Sequence, residues 1–284
     1  MSKIKSDHNN RTSNIVVKCI LYIIVILSSL SMVMPFIWMV SSSFKDNLEI
    51  FEFPIRWIPK VWRFENYSYI WEQAQYPVLF RNTLFVTIMV TLLQLITCSL
   101  SAYAFTKIEF KGRDKLFLLY LATLMVPFQV IMISQFVIVR KLRLSNSLWA
   151  LILTGAFNPI GVFMLRQFFS TIPEELSEAA RIDGLNEFGI YARIILPLSG
   201  AALANLGIIT AVATWNDFLP PLVYLNDYEK FTIQMGMRTM TTEFSSEYGP
   251  IMAASVISTI PIFIIYLFFQ RFFIGGVTAG AVKG

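Results

Sequence analysis

"EELSEAARIDGLNEFGIYARIILPL", Glu174 to Leu198, decides how this chain is read. The sequence around it is written in Leu, Ile, Val and Phe. Inside it stand Glu174, Glu175, Glu178, Asp183 and Glu187 against only Arg181 and Arg193. Thr171 followed three residues on by Glu174 has the pattern of a capping box, with Pro173 in the first turn. Gly184 is a natural left-handed stop, and a second helix is expected from near Asn186 through Phe188, Ile190 and Ile194 until Pro197 interrupts it. The stretch therefore predicts a helix, a glycine elbow and a second helix. Leu176, Ala179, Ala180 and Asp183 are expected near one face of the first helix.

The setting of this hairpin is a membrane. A chain of 284 residues that is 56% hydrophobic and only 14% charged, with mean hydropathy +0.61, is too apolar for a soluble domain. Six stretches lack Asp, Glu, Lys and Arg altogether: Cys19 to Phe44, Asn82 to Thr106, Leu116 to Val139, Leu144 to Leu165, Ile194 to Asn216 and Tyr248 to Gln270. Each meets the need for about 20 apolar residues per crossing, and a helix is the state that satisfies an isolated span's backbone. The expected fold is an all-α membrane protein with spans at 19–44, 82–106, 116–139, 144–165, 198–216 and 248–270. A loop at 171–197 joins spans four and five, and tails occupy 1–18 and 271–284. Six crossings put both termini on one side. Lys3, Lys5, Arg11, Lys18 and the run Lys107, Lys111, Arg113, Lys115 make that side cytoplasmic, although Arg140, Lys141 and Arg143 count against it. The first apolar stretch exceeds a signal peptide's core and offers no small-residue cleavage site, so it is expected to stay as an anchor.

Several chemistries are excluded. His8 is the one histidine, which leaves nothing for a zinc site or a histidine acid/base pair. Cys19 and Cys98 lie in apolar spans, where a thiol acts as a small hydrophobe. No G-x-x-x-x-G-K-[ST] pattern exists to grip ATP. A pI near 9.2 without a basic patch interleaved with aromatics does not indicate nucleic acid. A proton- or ion-coupled carrier would hold ionisable groups inside its spans, and these spans have none. Their polarity is uncharged: Gln94, Gln129, Gln135, Asn158, Asn205 and Asn216 suit either a path for a neutral solute or the bonding of helix to helix. A helix floating in the interface would present Lys and Arg to lipid. This hairpin is net acidic, so it reads as a docking element for a basic cytoplasmic protein surface.

The hairpin also fits the pattern E-A-A-x3-G-x9-I-x-L-P at Glu178, Ala179, Ala180, Gly184, Ile194, Leu196 and Pro197, with Asp183 in "IDG". With "WNDFLPPLVY" (215–224) and the terminal "QRFFIGGVTAGAVKG" (270–284), it resembles the permease subunits of binding-protein-dependent ABC importers. Within these it is similar to the smaller permease of the maltose and glycerol-phosphate types, in the carbohydrate-uptake class. The resemblance implies a type I importer in the bacterial cytoplasmic membrane, with a homologous second permease, two ATPase subunits holding ATP and Mg, and an extracellular or periplasmic solute-binding protein. This chain would bind no metal or cofactor and would not be an enzyme. Glu178 would face a basic ATPase groove, Gly184 would supply the elbow, and the tail from Gly275 would reach toward the ATPase. Trp215, Asn216 and Asp217, with Asn158 and Gln129, are candidates for a substrate path or gate. The implied solute is a sugar, with glycerol phosphate or another small polar solute as the alternative and a secondary carrier behind it. Pro220 departs from relatives that often carry tryptophan there.

Overall fold

The computed structural model describes residues 2–241 and 247–281, with side chains over 17–241 and 247–270. Its long elements are helical. Three helices are apolar and long enough to cross a membrane unaided: α1 (Ser2–Ser42) over Val17–Ser42, α3 (Tyr76–Lys107), and the last helix over Tyr248–Gln270. Three further crossings are available only as bent pairs.

The chain divides into two units, Met1–Gln73 with Glu243–Ile257, and Ala74–Thr242 with Ser258–Gly284. In the first, the residues just after α1 hold α2 (Glu65–Glu72). Asn66 Nδ2 donates to the carbonyls of Ser43 (2.8 Å) and Lys45 (3.0 Å), and the Phe44 ring packs on Trp62, Phe64 and Tyr67.

The second unit is organised on α3. This helix holds no glycine and no proline beyond Pro77 in its first turn, so nothing interrupts its hydrogen bonds over 32 residues. Its neighbours are interrupted. The third crossing, expected as one span over Leu116–Val139, is two helices, α4 (Arg113–Ala122, extended by a 3-10 turn to Met125) and α5 (Phe128–Lys141), meeting at 100°. Pro127 is the cause. It disfavours helical backbone at the residue before it, and Val126 and Pro127 are extended, with ψ 111 and 144. The fourth crossing breaks by 41° between α6 (Leu148–Thr154) and α7 (Pro159–Phe169).

A broken helix in an apolar setting frees carbonyls that must find donors. α3 supplies them. Gln94 Nε2 donates to Gly155 O at 2.7 Å and Thr97 Oγ1 to Ala156 O at 2.6 Å, while Cys98 Sγ lies 3.4 Å from Asn158 O, which already accepts from Val162 N–H. Asn158 Oδ1 in turn caps α7 by accepting from Ile160 and Gly161 N–H, while its Nδ2 donates to Gln94 Oε1 at 3.1 Å. Gln94 and Asn158 bond helix to helix, and Gln94 also borders a cavity.

After α7 come α8 (Glu174–Ile182) and α9 (Glu187–Leu198), then α10 (Gly200–Trp215), bent by 79° from α9. Tyr191–Ile195 within α9 is a π turn, in which Leu196 N–H bonds Tyr191 O. Pro197 accounts for it, since it has no N–H for the carbonyl four residues back and its ring crowds that carbonyl. Shorter helices α11 (Leu219–Tyr224) and α12 (Ile233–Thr239) precede α13 (Tyr248–Ala281). The first end of α3 is bonded to this late segment: Asn82 Nδ2 donates to Glu229 O (2.8 Å), and Thr83 Oγ1 accepts from Ile233 N–H (2.8 Å). Its other end meets α7, α8 and α9.

Gly161 permits the closest approach among α3, α7 and α10, because a Cβ there would lie 2.9 Å from both Cys98 Sγ and Leu206 Cδ1. Gly161→Val is expected to overpack this junction and destabilise the protein by about 1–3 kcal/mol, read as a lower unfolding temperature in detergent.

Candidate functional site

The acidic hairpin is built as a motif of its own. α8 closes on Gly184 at φ +84, where a side chain is strained but only glycine is at ease. Leu185 N–H bonds Ala180 O at 3.0 Å and Gly184 N–H bonds Arg181 O at 3.1 Å, the paired bonds of a Schellman stop. Asn186 then caps α9, its Oδ1 accepting from Gly189 N–H at 2.8 Å. The start of α8 differs from expectation. Its N-cap is Pro173, without a side-chain bond, and Thr171 Oγ1 turns back to Phe168 O at 2.7 Å. There is no capping box, because Glu174 is taken by a lysine.

That lysine is Lys107, the last residue of α3. Its Nζ, on a side chain only 4% exposed, donates to Ile172 O at 2.7 Å and to Glu174 Oε2 at 2.9 Å. Glu174 Oε1 accepts from Arg181 Nη1 at 3.3 Å, Arg181 Nε donates to Glu187 Oε1 at 2.9 Å, and Tyr103 OH donates to Glu187 Oε2 at 2.7 Å. Tyr103 stands one turn before Lys107, so the chain of bonds closes into a ring joining α3, α8 and α9. Tyr191 OH shares a 2.7 Å bond with Ser99 Oγ another turn back. Beneath the ring, Ala180, Ile190 and Ile195 are buried with Phe169, Leu165 and Ala102.

Magnitudes rank these ties. The Arg181 pairs are about 40% exposed, and such ion pairs are worth about 0–1 kcal/mol. Burying Ile190 and Ile195 fully contributes about 1.5–3 kcal/mol each. Lys107 adds a covered hydrogen bond that costs about 1–3 kcal/mol to leave unmade. Apolar burial holds the hairpin to the bundle, and the ring fixes its orientation.

Of the sequence candidates, Glu178, Ala179, Asp183 and Gly184 are exposed, as are Leu176 and Glu175. Ala180 is not on that face. It is 4% exposed and lies with Ser177 on the inner side, one residue and thus about 100° around from Ala179. Ile182 at 85% and Phe188 at 68% exposure add unburied apolar side chains to the outer face. Ile194 and Leu196 are half-buried and Pro197 is exposed. The tail side chains from residue 271 lie outside the described set, the backbone continuing as helix to Ala281.

Of the other candidates, Trp215 packs near the first end of α3 and Asn158 beside its middle. Trp215 is 2% exposed, its Nε1 donating to Ser258 O at 3.1 Å and its ring edge-on to Phe80. Asn216 is exposed and donates to Val212 O at 2.9 Å. Asp217 lines a cavity of about 320 Å³ with Thr83, Gln94, Thr214 and Thr232 among its walls. Asn158 reaches Gln94 on that wall. Gln129 is exposed near the start of α5, apart from the rest. Among the described residues no group of His, Cys, Asp and Glu could hold a metal ion.

Lys107, Tyr103, Arg181 and Glu187 were not singled out by sequence as members of the site. The four-residue spacing of Tyr103 and Lys107 was visible, but their partners stand 67 and 84 residues away.

With this geometry in hand, the comparisons are specific. Residues 96–278 match the family model of the binding-protein-dependent transport system inner membrane component. The chain is 39% identical over 255 residues, 89% of its length and 91% of the relative's, to the arabinooligosaccharides transport system permease protein AraQ of Halalkalibacterium halodurans. It is 31% identical, over 92% of itself and 87% of the relative, to the diacetylchitobiose uptake system permease protein NgcG of Streptomyces coelicolor. A chain in the crystal structure of a bacterial ABC transporter that imports the acidic polysaccharide alginate has the same fold, with TM-score 0.81 at 24% identity over 92% of this chain and 98% of that one.

The ring gives the hairpin a pH dependence of known sign. Arg181 first and Tyr103 second hold the Glu187 carboxyl below the usual glutamate range. A depressed folded value contributes stability fully above the unfolded pKa of about 4.3, and that contribution is lost as pH falls through the lower folded value. Glu187→Gln is expected to flatten this loss, measured as unfolding temperature against pH from 6 down to 3 for parent and variant.

Proposed function

The chain belongs to the family of binding-protein-dependent transport system inner membrane components, and from that premise we propose that it forms half of the membrane pathway of an ATP-driven sugar importer. The chain is the permease subunit and not the ATPase. Its hairpin, 171–197, is the coupling element that seats on an ATPase subunit. The observation that carries this is the two-faced hairpin itself: one side fixed to α3, the other offering Glu175, Glu178, Ile182 and Phe188 to a partner. An acidic face with two bare apolar knobs suits a basic groove with an apolar floor.

In this reading each bent pair is one crossing, giving six with both termini cytoplasmic in a bacterial membrane, and a homologous second permease completes the pathway. An external binding protein delivers the solute. The bonding of opposite ends of α3 to different segments, 229–233 at one end and 172–191 at the other, supports alternate crossings. For the solute, the cavity at Asp217 has threonines, a glutamine and one carboxylate on its walls and no lysine or arginine. That lining favours a neutral sugar over glycerol phosphate, since an anion there would lack a cation and face Asp217. Relatives named for arabinooligosaccharides and diacetylchitobiose point the same way.

Docking and elbow are separable by mutation. Glu178→Lys sets a cation against the ATPase groove, with an expected loss of about 2–5 kcal/mol in docking. A Cβ at Gly184 meets no atom within 4 Å, so the main cost of Gly184→Val is the left-handed backbone, about 1–3 kcal/mol. The first is expected to abolish co-purification of the ATPase, and the second to keep it while uptake into liposomes falls. Normal assembly and uptake in both variants would remove the hairpin as the coupling element.

A further inference from the structure

We propose that the hairpin drives the membrane bundle through α3, the second crossing, and not through α10, the helix that follows it in the chain. Ser99, Tyr103 and Lys107 are then positioning residues that make hairpin and α3 move as one body. The inference rests on the reading of the hairpin as the ATPase-docking element.

The covalent route out of the hairpin is poorly suited to carry force. It passes through the π turn at Tyr191–Ile195, the proline at 197 and a 79° bend into α10, three features that mark a hinge. The non-covalent route is stiffer. Ser99, Tyr103 and Lys107 recur at four-residue spacing, which stacks them on one stripe of α3. Each holds a different part of the hairpin: Ser99 the π turn through Tyr191, Tyr103 the start of α9 through Glu187, and Lys107 the start of α8 through Glu174 and Ile172 O. Both hairpin helices are therefore gripped by one partner, with Arg181 bracing them to each other. A rotation of α8 on the ATPase cannot leave α3 behind without breaking the buried lysine contacts.

α3 also reaches where coupling must arrive. As an unbroken helix of 32 residues it is about 48 Å long at 1.5 Å per residue. Thr83, Val86, Val90 and Gln94, running from near its far end to its middle, line the cavity that holds Asp217. One rigid element thus touches the docking hairpin at one end and the cavity wall at the other. Contiguity of this kind becomes coupling only when breaking the link changes the response.

The test uses the whole transporter, with its ATPase, second permease and binding protein, reconstituted in liposomes. The readout is ATP hydrolysis stimulated by the solute-loaded binding protein, relative to the basal rate. Lys107→Met is expected to lower that ratio about 5-fold or more, within the usual range of coupling between sites. Tyr103→Phe, which leaves every charge pair in place, is expected to lower it in the same direction, and Lys107→Arg to retain most of it. Stimulation within twofold of the parent in both Lys107→Met and Tyr103→Phe would overturn the proposal. Should Lys107→Met fail to assemble, Tyr103→Phe decides alone. If Gly184→Val is uncoupled while these variants respond normally, only the route through α3 fails; if Glu178→Lys and Gly184→Val both behave as the parent, the docking role itself fails.

Discussion

A lysine ammonium under cover at the end of a long apolar helix must be given oxygen, and the site is arranged around that demand. Lys107 receives Ile172 O and Glu174. Bonding Ile172 fixes where the chain leaves α7, and bonding Glu174 fixes how α8 begins, which is why Thr171 does not cap it. Arg181 and Glu187 are drawn in by the second carboxylate oxygen, and Tyr103 closes the ring one turn up α3. The individual exposed pairs contribute little. Removing the covered ammonium would unfasten the start of the hairpin, because Ile172 O has no other donor in the ring and Glu174 would keep only the exposed Arg181.

The same economy of donors explains the bundle. α3 stays straight because it lacks glycine and interior proline, and its polar side chains answer the backbone that its broken neighbours leave open. Gln94 and Thr97 meet the freed carbonyls of Gly155 and Ala156 between α6 and α7, and Asn158 Oδ1 caps the Ile160 and Gly161 N–H groups of α7. In an apolar surrounding these bonds are structural necessities before they are anything else. Only Asp217, among the polar candidates at the far end, combines a place on the cavity wall with a carboxylate that forms no ion pair among the described residues.

Sequence carried the all-α membrane class in its long uncharged runs, and the Gly184 elbow, the second helix starting near Asn186 and the interruption at Pro197 because each of these depends on local backbone preference. Pro127 signals an opened hydrogen-bond ladder in the expected third span but not the 100° angle found there, since a proline in a span can also be absorbed as a kink. Sequence misplaced Ala180 by one step around the helix, where a 100° increment separates inside from outside. It missed the ring because Tyr103 and Lys107 find their partners far along the chain, and no local spacing encodes that Glu174 will prefer a distant lysine to its own helix cap.

The central claim is that hairpin and α3 move together. Spin labels at Leu100→Cys, on an outward face of α3, and Ala179→Cys, on the exposed face of α8, in a chain lacking Cys19 and Cys98, allow their separation to be measured by pulsed dipolar spectroscopy in the assembled transporter. The account requires the same distance in the nucleotide-free and ATP-bound states. A change in the separation of positions 100 and 179 between those two states would contradict it.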